Sequence, residues 1–281
     1  MIFVAGLGEE VGKTVFTASL VSALRREGLD AAPFKPVGAS DPWLHPDILE
    51  ETKRHRSLVT WDAHVLASTV GLNPVLVNPV GGYIVWVDPF RGDSSIKGVL
   101  DSRVVLLRVT ECTGGSARSI HLLDEDTLSR APPIMRDLIS EALSAITPSP
   151  LSVARDGIEK VLSGPAVEAA DSCLKPLLSR AEAVVAESNS DVAVPTRLTA
   201  EPDLVVVVSR GVAAVYRGDR WRLALRVLAP LRPWQLSTRD VVKLLEPAKV
   251  VDVPLATAQG TIPPESLEWV VEHVKALAPR S

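Results

Sequence analysis

Residues 1–16 read MIFVAGLGEEVGKTVF, and this stretch decides the fold. Ile2–Ala5 is a short apolar run of strand length. From Thr14 the sequence TVFTASLVSALRRE repeats its apolar residues at helical spacing, and Gly28 stands where the helix must stop. Between strand and helix lie Gly6, Gly8 and the triplet Gly12-Lys13-Thr14. A glycine-rich turn in that context aims backbone N–H groups at a phosphate, and the helix N-terminus adds its positive end. The lysine then reaches the terminal phosphates and the threonine hydroxyl reaches Mg²⁺. Residues 8–15 (Gly8, Glu9, Glu10, Val11, Gly12, Lys13, Thr14 and Val15) are the candidate nucleotide-binding positions.

Outward from the loop, strand and helix patterns alternate. Residues 30–37 (DAAPFKPV) read as a second strand, and Asp47 opens a helix in the role of its N-cap. TWDAHVLASTVGL (60–72) reads as helix, GGYIVWVDPF (81–90) as strand and SRVVLLRVT (102–110) as strand. The small-residue loop ECTGGSARS follows, and 133–182 is mostly helical with a break at TPSPLS. AVVA (183–186) and LVVVV (204–208) are wholly apolar, as suits central parallel strands covered on both faces. AAVYRGDRWRLAL (213–225) reads as a hairpin turning at Arg-Gly-Asp-Arg. A helix at 238–245, a strand KVVDVPL and a helix at 264–277 close the chain. The expectation is a doubly wound α/β fold, mostly parallel with helices on both faces. It takes the form of one domain over 1–281 with an enlarged middle at about 60–180.

Composition sets outer bounds. The 281 residues are 46% hydrophobic and 23% charged, a globular balance, and the net charge of −4 argues against a general nucleic-acid binder. No apolar run reaches the ~18 residues of a membrane span, and Met1 leads directly into the first strand with no basic leader. Cys112 and Cys173 have no metal spacing and no disulfide framework. They read as small buried hydrophobes in a reducing cytoplasm. GGSARS (114–119), with Arg118, reads as a surface loop, with a second anion site as its alternative. The five histidines show no ligand spacing.

Five residues, rather than the common four, separate Gly6 from Gly12. With Glu10-Val11 ahead of Gly12-Lys13-Thr14, the loop resembles that of the dethiobiotin synthetases. FKPVGAS (34–40) resembles that family's Lys-Pro-Val segment, HPDILEE (45–51) its Asp-bearing helix, and AEAVVAESNSDVAVPT (181–196) its Glu-bearing strand end. The resemblance implies ATP and Mg²⁺ as cofactors. Lys13 and Lys35 would be the catalytic cations, with Lys35 on the transferred γ-phosphoryl group. Thr14, Asp47 and Glu187 would serve the metal. It further implies a small-molecule carboxylate or amine substrate and a homodimer. The family's Glu-Gly-Ala-Gly-Gly stands here as Glu187-Ser188-Asn189-Ser190-Asp191, and residues 226–234 lack its adenine-reading Asn-Asp pair.

Three functions compete on this reading. One is an ATP-dependent synthetase that phosphorylates a carboxylate or carbamate for ring closure or amide formation. The amidating enzymes of cobalamin synthesis share the loop style but normally add a glutaminase cysteine, and rank behind. The second is a partitioning or assembly ATPase, which usually has a lysine where Gly8 stands. The third is a nucleotide-binding regulator without turnover.

Overall fold

The computed structural model describes residues 1–88, 102–228, 236–257 and 260–277. These pack as two compact units. One contains Met1–Pro36, Val65–Leu72 and Leu174–Ser281, and the other Val37–His64 and Asn73–Cys173. Much of the middle expected to be enlarged, 60–180, falls in the second.

The strands in chain order are β1 (Ile2–Gly6), β2 (Ala31–Phe34), β3 (Val37–Ser40), β4 (Val80–Trp86), β5 (Ser102–Thr113), β6 (Ser116–Leu123), β7 (Leu151–Ser152), β8 (Ala183–Glu187), β9 (Leu204–Ser209), β10 (Val212–Arg217) and β11 (Lys249–Asp252). In the first unit the sheet runs β11-β10-β9-β1-β8-β2. β1 pairs in parallel with both β8 and β9, β2 pairs in parallel with β8, and β10 and β11 are antiparallel. The three apolar runs therefore occupy interior positions of a doubly wound sheet, as their patterning requires.

Alternation along these strands supplies two packed faces. Ile2, Val4, Val185, Val206 and Val208 meet Phe16, Leu20, Val21 and Leu24 of the helix Lys13–Arg26, and Val270 and Val274 of the helix Glu268–Leu277. Phe3 points the other way and meets Trp221 of the helix Gly218–Leu228 with ring centroids 6.5 Å apart. Helices thus cover both faces. The first helix ends at the expected place, with Gly28 at φ 87° and its N–H donating to Arg25 O.

The second unit carries the sheet β3-β4-β5-β6-β7, with β3–β4 and β6–β7 parallel and the other pairs antiparallel. Ile48, Met135 and Ile139 cover one face, and Ile158, Ala166 and Ala170 cover the other. β5 carries Arg108 into this core with no solvent exposure. Its guanidinium donates to Val75 O and Thr110 Oγ1 at 3.0 Å and to Asn78 O at 2.5 Å, and burial lowers its pKa to about 9. Beside it, His121 is buried with Nε2 3.1 Å from Ser57 Oγ.

Four expectations are corrected. DAAPFKPV is two strands in two sheets. Pro33 lacks an N–H and is accommodated because β2 is an edge strand. The loop ECTGGSARS is mostly hairpin: Gly114 and Gly115, at φ 60° and 84°, turn β5 into β6. Arg217-Gly218-Asp219 does not turn a hairpin; β10 already pairs with β9 through the turn at Gly211, and a helix starts at Gly218. A Cβ on Gly218 would lie 2.0 Å from Pro202 O, so this helix start is wedged against the chain ahead of β9. Finally, Cys112 and Cys173 are not separate thiols but a disulfide, with Cα atoms 4.8 Å apart. The hairpin lays Cys112 on the helix Pro165–Arg180, where its N–H also donates to Ser172 Oγ at 2.9 Å.

Within the expected segments 81–90 and 226–234, Pro89, Phe90 and residues 229–234 lie outside the described residues. No helix among the described residues is long and apolar enough to cross a membrane.

Candidate functional site

The site of the first unit forms at the carboxyl ends of β1, β2 and β8, where ligands gather in an open parallel sheet. The loop after β1 runs to Gly12, which stands at the N-cap position of the first helix with φ 88°. That left-handed geometry is costly for any residue with a Cβ. Glu10 adopts it as well, at φ 51°. No side chain caps the helix, so the N–H groups of its first turn face the loop. Glu9, Glu10 and Gly12 are exposed, whereas Lys13 and Thr14 beneath them are buried.

Lys13 folds back over the loop and donates from Nζ to Gly8 O at 2.8 Å. Gly6 makes this possible. A Cβ there would lie 2.8 Å from Lys13 Nζ and 2.9 Å from Val11.

The centre of the site is Glu187, the last residue of β8, whose side chain is wholly buried. Its Oε1 accepts from Thr14 Oγ1 at 2.9 Å and from Lys35 Nζ at 2.5 Å. Lys35, just past β2 and 2% exposed, also donates to Ser188 O at 3.1 Å. The Ser188 N–H in turn donates to Val4 O, fixing the strand end beside β1. Three residues expected in the site, Thr14, Lys35 and Glu187, are thus brought into direct contact. Asp47 belongs to the second unit, where it is the exposed first residue of the helix Asp47–His55. It is not the N-cap; Pro46 holds that position with no side-chain cap. Val15 is half-buried and packs against the core under the sheet.

Two segments wall the loop. Ser190, at φ 49°, donates to Glu9 Oε1 at 3.2 Å. The segment after residue 235 is tied to the 189–193 loop through Ala193 N–Leu236 O and Thr238 N–Asp191 O. From it Arg239 reaches Leu7 O at 3.5 Å. Sequence reading passed over Arg239. The Ser237–Asp240 capping box announces a helix start, but nothing local announces a contact 232 residues away.

The donor set fits a hard divalent cation. The Thr14 hydroxyl and a Glu187 carboxylate oxygen already meet, and both are hard oxygen donors. Mg²⁺ binds in this sparse manner, through one or two carboxylates completed by phosphates and water.

No family model matches the chain. It is similar to parts of cobyric acid synthases. That of Paracoccus denitrificans (strain Pd 1222) is 38% identical over 78 residues, 28% of this chain and 16% of that protein. That of Ruegeria sp. (strain TM1040) is 32% identical over 110 residues, 38% of this chain and 23% of that protein. That of Brucella anthropi is 33% identical over 96 residues, 33% of this chain and 20% of that protein. The chain thus spans less than a quarter of the length of these relatives. These partial matches do not directly show the expected likeness to the dethiobiotin synthetases.

Proposed function

We propose that the chain binds ATP with Mg²⁺ at residues 6–14 and phosphorylates a carboxylate or carbamate, which an amine then attacks to form an amide-type bond or close a ring. In the first step a carboxylate oxygen attacks the γ-phosphorus, the bond to the bridging oxygen breaks and ADP leaves. In the second the amine attacks the activated carbon, loses a proton and expels phosphate. The observation that carries this reading is the buried contact of Glu187 with both Thr14 and Lys35 under the glycine loop.

Lys13 and the first-turn N–H groups bind the phosphates. Lys35 supplies a buried cation where the charge of the moving phosphoryl group spreads, and a cation placed there acts mainly in the transition state. Thr14 and Glu187 would hold Mg²⁺, which when bound neutralises phosphate charge; a metal role for Asp47 rests on the dethiobiotin synthetase resemblance alone. The similarity to cobyric acid synthases favours a synthetic enzyme over an ATPase switch. A small-molecule carboxylate and amine as substrates and a homodimer belong to the same proposal; the expected cytoplasmic location rested on unpaired cysteines, and the Cys112–Cys173 disulfide removes that support.

The test is calorimetric ATP titration alongside phosphate release. Lys13→Ala should lose both affinity and turnover. Lys35→Met should keep ATP affinity within a few-fold while turnover falls by roughly 10²-fold or more. A wild-type protein that binds no nucleotide refutes the reading.

A further inference from the structure

We propose that Arg239 is a phosphate-binding residue of the nucleotide site, an inference that rests on the nucleotide reading of residues 6–14. Lys13 Nζ and Arg239 Nη2 sit on consecutive carbonyls of one loop, Gly8 O at 2.8 Å and Leu7 O at 3.5 Å. Both cations are therefore held on the same loop. The Arg239 bond is long and goes to a neutral oxygen, which makes it a weak hold for a guanidinium. Among the described residues Arg239 makes no other hydrogen bond and no ion pair at contact distance; its charge acts on the neighbouring Asp240 carboxylate, and its side chain is exposed. A phosphate offers it a paired, charge-assisted contact in place of one stretched bond.

The loop's own side-chain charge is net negative. It carries two carboxylates, Glu9 and Glu10, both exposed, against the single charge of Lys13. A triphosphate entering there meets that negative charge, and a guanidinium at Leu7 offsets it. The mounting is firm. Asp191 O and Leu236 O anchor the segment by backbone hydrogen bonds. The Ser237 hydroxyl and Asp240 carboxylate cap the local helix start.

Three variants separate charge from bracing: Arg239→Ala, Arg239→Lys and Arg239→Gln, the last keeping a donor for Leu7 O without the charge. Each is titrated with ATP, ADP and GTP by calorimetry at fixed Mg²⁺, after melting shows an unchanged unfolding temperature. The Ala and Gln variants should bind ATP about 10- to 100-fold more weakly than wild type, the scale of one hydrogen bond to a charged group. GTP should weaken by the same factor as ATP, because phosphate and not base is contacted. Lysine should restore part of the loss, lacking the planar fork. Wild-type affinity in the Gln variant, or a loss for ATP that GTP does not share, overturns the proposal. If wild type binds ATP and Arg239→Ala binds equally well, Arg239 is only a brace. If wild type binds no nucleotide, this inference falls together with the reading beneath it.

Discussion

The buried pair Lys35–Glu187 gives the sharpest energetic test. Its atoms lie 2.5 Å apart, with side-chain exposures of 3% and 0%, so solvent screens neither charge. Removing one member of such a pair leaves the other charge desolvated, at a cost of about 3–5 kcal/mol. Replacing both by apolar groups of similar volume is often neutral. Lys35→Met and Glu187→Leu should therefore each lose about 3–5 kcal/mol of unfolding free energy, a large part of the ~5–15 kcal/mol typical of a native protein. The double variant should recover most of that loss. Urea titrations followed by circular dichroism measure all four corners of the cycle. Turnover of Lys35→Met is then read only below its own unfolding transition, so that lost catalysis is not confused with lost fold. Single variants that each cost under about 1 kcal/mol would show that the pair is solvated. The reading of Glu187 as the dry centre of the site would then fail.

Two further outcomes are expected in the second unit. Burial first, and then the Arg108 charge, lower the His121 pKa from 6.5 to about 4. The unfolded chain therefore binds this proton where the folded chain does not, and the contribution present above pH 6.5 is lost as pH falls toward 4. It amounts to about 3 kcal/mol at 1.36 kcal/mol per pH unit. Urea stability at pH 7 and 4.5 should fall less in His121→Gln than in wild type, and equal slopes would dismiss this account. Reducing Cys112–Cys173, which are 61 residues apart, should cost up to about 4 kcal/mol on loop entropy. Non-reducing peptide mapping checks the bond, and two free thiols in the unreduced protein would contradict it.

The sequence by itself determined what neighbouring residues can encode. The strand over Ile2–Ala5, the glycine-rich loop and the helix stopped by Gly28 follow from backbone freedom and apolar period within one short segment. Wholly apolar character likewise marked β8 and β9 as strands buried on both faces. The resemblance named Lys35 and Glu187, but their contact across 152 residues exists only because β8 lies between β1 and β2. The same holds for Arg239 on Leu7 and for the disulfide, both products of strand order and hairpin placement. Gly218 begins a helix where its neighbours suggested a turn, and only the fold shows why glycine stands there: the backbone of Pro202 and Asp203 leaves no room for a Cβ. Arg108 is satisfied in a core strand because Val75 and Asn78 arrive from elsewhere to join Thr110 of its own strand. Periodicity fixes which face a residue presents; it carries no information about which distant segment arrives to meet that face, and that is settled only when the sheets assemble.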